Sequence, residues 1–149
     1  MRRKILTVLL AAVLIFIWGN SVLPAGKSEK VSQSVTGIVN GGKAPAAQTD
    51  SAPRISDAKI RKAAHFTEFA VLGLLALLRM SESGLPFGRI WQRLTAFGFG
   101  AAFLDETIQL FNNRSSSVRD VWLDFSGYVA GVLCMLLVRT LFRKKRVRA

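Results

Sequence analysis

Asp105 and Glu106 stand side by side in FLDETIQLF, residues 103–111, inside a long apolar run. An ionised Asp at the centre of a bilayer costs roughly 2.5–3.5 kcal/mol on insertion scales. Carboxylates in such a run must pair, bind a cation, take up protons or line a water-filled cavity. Other ionisable residues recur at helical spacing. Lys62, His65 and Glu68 sit at i, i+3, i+6 and span an arc of about 120° on a helix. Asp105, Glu106 and Gln109 span about 100°. Asp120 and Asp124 are i, i+4, and Arg114 and Arg119 precede them in a connecting segment. His65 has the side chain best suited to acid/base work near neutral pH, with Asp105 or Glu106 as its partner. These three are the candidate catalytic residues. No nucleophile motif, phosphate-cradling glycine loop or HExxH accompanies them. His65, Glu68, Asp105, Glu106 and Asp124 are all of metal-ligating type, but one histidine among unspaced carboxylates is an unspecific signal. No metal and no cofactor are expected.

Four apolar runs must position these residues. The first covers Ile5 to Leu23 behind Met-Arg-Arg-Lys and approaches the ~20 residues of a spanning helix. No A-x-A-like cleavage site follows closely, which favours a retained helix over a secretory signal. The others are Ala63 to Leu78, Leu94 to Phe111 and Val121 to Phe142. They are apolar on most faces rather than striped, which argues against a soluble helical domain. The fold class is therefore all-α, a four-helix transmembrane bundle. The expected divisions are a first span over 1–23, an outer segment over 24–56, a three-helix core over 57–142 and a basic tail over 143–149. Spans in the core are placed at about 63–80, 94–111 and 121–142.

Charge sets the orientation. The chain carries 21 basic and 9 acidic residues, a net charge of +12. Most of the basic ones flank apolar runs on one alternating side: Arg2, Arg3 and Lys4; Arg79, Arg89 and Arg93; Arg139, Arg143, Lys144, Lys145, Arg146 and Arg148. This is how charge anchors membrane helices, with the basic side cytoplasmic. No stripe of basic residues interleaved with aromatics supports nucleic-acid binding. Both termini are basic, so both are placed inside and the number of spans is even. The ionisable ends of three helices then meet at one level near the outer surface. Lys59, Arg61 and Lys62 run against the usual bias there, consistent with pairing to acidic residues or to anionic lipid.

The outer segment is rich in Ser, Ala, Gly and Pro, and is expected to be long and partly disordered, with a flexible linker from Gly42 to Pro53. Val31, Val35, Ile38 and Val39 form an apolar stripe after Ser28, the pattern of a short amphipathic helix. Ser56 is a candidate N-cap for the second helix. Gly127 and Gly131 form GxxxG on the face of Asp120 and Asp124, and Gly98, Gly100, Ala101 and Ala102 offer small residues on the third helix; both are signals for helix packing. Cys134, the single cysteine, reads as a small apolar packing residue.

These residues carry a resemblance. Trp18-Gly19-Asn20-Ser21 with Ser28 and Ser32, the stretch RKAAHFTEF over residues 61–69, and DETIQLF followed by R-x4-R-D-x3-D-x2-G-x3-G resemble the VanZ-like family of bacterial membrane proteins. The third motif runs from Asp105 through Gln109, Arg114, Asp120, Asp124 and Gly127 to Gly131. Phe69 stands where many members carry Tyr, and three serines lie where members often have a Gly-rich stretch. The resemblance implies a multi-pass protein of the bacterial plasma membrane, associated in its name-giving member with resistance to the glycopeptide teicoplanin. It implies no particular reaction.

Three functions follow as expectations. In the first, the polar cluster binds a membrane lipid, a lipid-linked cell-wall precursor or a lipidated ligand, with Lys62, Arg114 and Arg119 gripping phosphate or carboxylate. In the second, an intramembrane enzyme acts on an isoprenoid-phosphate or cell-wall lipid through His65 and Asp105 or Glu106, with Glu68 orienting His65. In the third, the carboxylates serve proton-coupled transport, for which four helices are few unless the chain forms a homo-oligomer. A structural role, an ionic network that sets helix register, stands beside all three.

Overall fold

Each apolar run belongs to a helix longer than itself. The computed structural model describes residues 1–22, 57–112 and 116–147. Four helices account for nearly all of them: α1 (Arg2–Val22), α2 (Asp57–Ser81), α3 (Phe87–Phe111) and α4 (Val118–Val147). The described residues contain no strand. The candidate amphipathic helix around Val31, the linker, the Ser56 cap and Arg114 lie outside the described residues.

Local signals explain the boundaries. Gly84 takes a positive φ of 71°, a conformation that favours glycine, and turns the chain after α2. Pro86 then precedes α3 with φ −61° and ψ 147°, and its carbonyl accepts the N–H groups of Arg89 and Ile90 at 3.0 and 3.1 Å. The connection is thus only a few residues long, and Arg89 and Arg93 are helical. α4 starts behind Ser117, whose hydroxyl accepts the Asp120 N–H at 3.3 Å and donates to Asp120 Oδ2 at 2.8 Å. That Ser-x-x-Asp arrangement is close to a capping box.

α1, α2 from Lys59 and α4 to Leu141 are long and apolar enough to cross a membrane. α3 is not, although its 25 residues would extend about 37 Å, beyond the ~30 Å of a hydrocarbon core. Its hydropathy is lowered by Arg89 and Arg93 near one end and by Asp105, Glu106 and Gln109 near the other, and the last three are buried among the other helices. The surface supports the same reading. Ile15, Phe16, Phe103, Leu110, Trp122 and Leu137 are exposed, whereas Ser21, Asp105, Glu106, Gln109 and Asp124 are buried. Polar groups inside and hydrocarbon outside suit a lipid environment rather than water.

The helices run alternately up and down. At one end Arg2 pairs with Glu82 at 3.3 Å, Arg79 donates to the Thr7 hydroxyl at 2.7 Å and Arg139 donates to that of Ser81. The polar residues gather at the opposite end. Between them lies a core of Ile17, Phe69, Leu72, Ala76, Leu77, Leu94, Ala101, Ala102, Tyr128 and Val132. α2 and α4 approach almost backbone to backbone. A Cβ at Gly127 would collide with the Phe66 carbonyl, one at Gly131 with that of Ala70, and one at Gly73 with that of Tyr128. On α3, Gly98 makes room for the Tyr128 ring, while Gly100 has no neighbour within 4 Å. Cys134 is exposed on α4 rather than packed.

The close approach predicts a sharp contrast between glycines. Gly131→Val should destabilise the bundle by about 1–3 kcal/mol through overpacking, seen as a lower thermal midpoint and reduced folded yield in detergent. Gly100→Ala should lower neither, and by replacing a helix-interior glycine should raise the midpoint slightly. Equal behaviour of the two variants would show that the α2–α4 contact does not limit stability.

Candidate functional site

The polar end draws on all four helices. α1 ends with Asn20 and Ser21, α2 enters with Lys62, His65 and Glu68, α3 ends with Asp105, Glu106 and Gln109, and α4 begins with Asp120 and Asp124. The up-and-down order makes these ends coincide. Helical spacing then turns each set towards the bundle axis.

Asp105 is at the centre and fully buried. Its Oδ1 accepts the Ser21 hydroxyl at 2.6 Å, and its Oδ2 accepts the Gln109 amide at 2.7 Å. His65 Nδ1 lies 3.6 Å from Asp105 Oδ2 and 3.9 Å from Asp124 Oδ1. Asp124 is 1% exposed, and its Oδ2 has no hydrogen-bond partner among the described residues. Around this centre Gln109 also donates to Glu106 Oε1 at 3.4 Å, and Asn20 donates to Glu68 Oε1 at 3.4 Å. Hydrogen bonds to a charged group are each worth about 1.5–3 kcal/mol, so the Ser21 and Gln109 contacts hold the Asp105 carboxylate in one orientation.

Beside His65 a small, part-open cleft is lined by Arg61, Lys62, His65, Glu106, Gln109, Asp120, Leu123 and Asp124. Lys62 closes one side through a 2.8 Å ion pair with Asp120 Oδ1. The cleft is thus cationic at its rim and carboxylate-rich beneath. Such a site can hold an anionic headgroup at the rim, a cation or proton between the buried acids, or both in contact.

The structure brings Lys62, His65, Glu68, Asp105, Glu106, Gln109, Asp120 and Asp124 to this end of the bundle. Arg119 is exposed and does not line the cleft. Gly127 and Gly131 lie below it, against α2. Asn20, Ser21 and Arg61 belong to the stretches that carry the family resemblance but are not among the predicted site residues. For Ser21 the signal was its position at the polar end of an apolar run; for Arg61 it was the charge excess at the start of the second run.

A family model described as VanZ/LLP1 matches residues 6–139, which takes in two helices whole and most of the first and last. No curated protein and no solved structure matches the chain.

The Ser21 contact predicts a measurable stability change. Ser21→Ala should cost about 1–3 kcal/mol, the usual cost of leaving a buried acceptor unsatisfied, and Ser21→Thr should recover most of it. Thermal unfolding of the detergent-solubilised protein reads both. An unchanged midpoint in Ser21→Ala would mean that the hydroxyl does not orient Asp105.

Proposed function

Because the chain belongs to the VanZ/LLP1 family and has three helices long and apolar enough to cross a membrane, we propose that it binds the anionic headgroup of a lipid-linked or lipidated ligand in this cleft. In this reading it is a multi-pass protein of the bacterial plasma membrane, its termini are cytoplasmic and the cleft opens at the outer leaflet. The observation that carries the reading is the cationic rim: Arg61 and Lys62 line a cleft whose walls are helix ends flanked by exposed apolar side chains. A headgroup can enter there while its acyl or isoprenoid chain stays in hydrocarbon. A guanidinium offers phosphate two parallel N–H donors, and an ammonium offers a point charge. Sequestering or presenting a cell-wall lipid would change glycopeptide access, and so teicoplanin susceptibility.

A second reading rests on the 3.6 Å approach of His65 to an Asp105 whose carboxylate is held by Ser21 and Gln109. A positioned imidazole and carboxylate can take a proton from a water that attacks the phosphorus of a bound lipid phosphate and return one to the departing lipid alcohol, which would make the protein an intramembrane enzyme.

One experiment separates the two readings. Purified full-length protein is incubated with an isoprenyl monophosphate, and with phosphatidylglycerol for comparison. Native mass spectrometry follows the complex and an assay follows released phosphate. Headgroup binding predicts retained lipid and at least a tenfold loss of affinity in Arg61→Ala; undiminished binding in that variant would remove the rim from recognition. Phosphate release that disappears in His65→Ala would establish the enzymatic reading.

Orientation is tested separately, in a Cys134→Ser background. Val118→Cys, exposed at the polar end, should react with a membrane-impermeant maleimide on intact cells. Phe87→Cys, exposed at the basic end, should react only after permeabilisation. The reverse pattern would put the cleft on the cytoplasmic side.

A further inference from the structure

The geometry points to a divalent-cation site formed by His65, Asp105 and Asp124, one side chain from each of α2, α3 and α4. A ligand atom from each lies within 4.8 Å of the other two. Nitrogen and oxygen ligands bind a transition ion at about 2.0–2.2 Å, so two ligands of one ion stand about 3–4 Å apart. The two distances from His65 Nδ1, 3.6 Å to Asp105 and 3.9 Å to Asp124, fall in that range. A side-chain adjustment of less than about 1 Å brings the third pair into it.

A second observation is independent of this spacing. Asp124 Oδ2 is buried without a hydrogen-bond partner among the described residues, on a side chain that is 1% exposed. A buried carboxylate oxygen with no donor carries its full desolvation penalty. A cation held by the Asp124 carboxylate, whose other oxygen is the one 3.9 Å from His65 Nδ1, would offset that penalty. The neighbouring charges favour it too: Glu106 lines the same cleft, and the ammonium of Lys62 is already engaged by Asp120 at 2.8 Å.

The surroundings suit a metal. Ser21 and Gln109 fix the Asp105 carboxylate, and hydrogen bonds of this kind orient a ligand and tune its basicity. The cleft that reaches His65 and Asp124 is an access route for the ion. One imidazole with two carboxylates suits Zn²⁺, a borderline ion, or Mn²⁺, a harder ion that carboxylates favour. Three protein ligands leave coordination positions for water or an anionic oxygen. The inference stands whether or not the cleft binds lipid, since it rests on His65, Asp105 and Asp124 alone.

The test uses the full-length chain, purified without a histidine tag. Elemental analysis gives its metal content, and thermal unfolding after chelation follows the response to added Zn²⁺ or Mn²⁺. About one ion per chain and a raised midpoint with either ion are expected. Asp124→Asn keeps the size of this buried side chain and removes its capacity to ligate as an anion, so the metal-free variant should be at least as stable as the parent while losing affinity at least tenfold. Glu82→Gln, at the opposite end of the bundle, should keep the full response. Co²⁺ substitution gives a readout on the unmodified protein: absorption bands of a nitrogen- and oxygen-ligated ion, should Asp124→Asn fail to fold. Overturning results are no midpoint shift with either ion, the same shift in Asp124→Asn, or no Co²⁺ bands beyond those of the ion in buffer.

Discussion

The bundle depends on removing the carboxylates of Asp105 and Asp124 from hydrocarbon. Both are almost fully buried, and they belong to different helices. The groups that approach them come from other helices, Ser21 from α1 and His65 from α2, and from one turn further along α3, where Gln109 reaches Asp105. A slide of any helix by one turn, about 5.4 Å, would break this set. Buried ionic groups often add little net stability compared with apolar ones, yet loss of one partner costs about 3–5 kcal/mol. The network therefore acts chiefly on register. It penalises every arrangement in which these acids face lipid.

The two ends of the bundle handle charge differently. At the basic end Arg2 and Glu82 pair with their side chains 69% and 27% exposed. Exposed pairs of this kind contribute at most about 1 kcal/mol and anchor rather than organise. At the polar end the acids are buried, closely spaced and reached by a cleft. Charge that costs free energy to bury, and that is gathered where helix ends meet, is the arrangement expected of a site that handles another charged species.

Glycine links the packing to the site. Gly127 lies three residues after Asp124, and its missing side chain leaves room for the carbonyl of Phe66, the residue next to His65. The backbones of α2 and α4 can therefore approach closely where the imidazole must reach the Asp124 carboxylate. A larger residue would push the helices apart and open the 3.9 Å separation. The same contact that stabilises the bundle sets the geometry of the cleft.

Much of this was legible in the residues. Apolar runs near the length of a bilayer, each flanked by arginine and lysine, determine an all-helical membrane protein, because hydrocarbon admits little else. Helical spacing determines that His65 shares a face with Lys62 and Glu68, and that Asp105 shares one with Gln109. Helix starts were less legible: α3 begins at Phe87 rather than near Leu94, because Gly84 and Pro86 set the turn and the basic residues after them tolerate helix. Only the tertiary structure decided which atoms meet. Ser21 is 84 positions from Asp105 in the chain, and no local periodicity reports the rotation of one helix about its axis relative to another. That rotation follows from glycines, ring packing and buried acids acting together. It is what separates a group of ionisable residues at one depth from a triad of His65, Asp105 and Asp124.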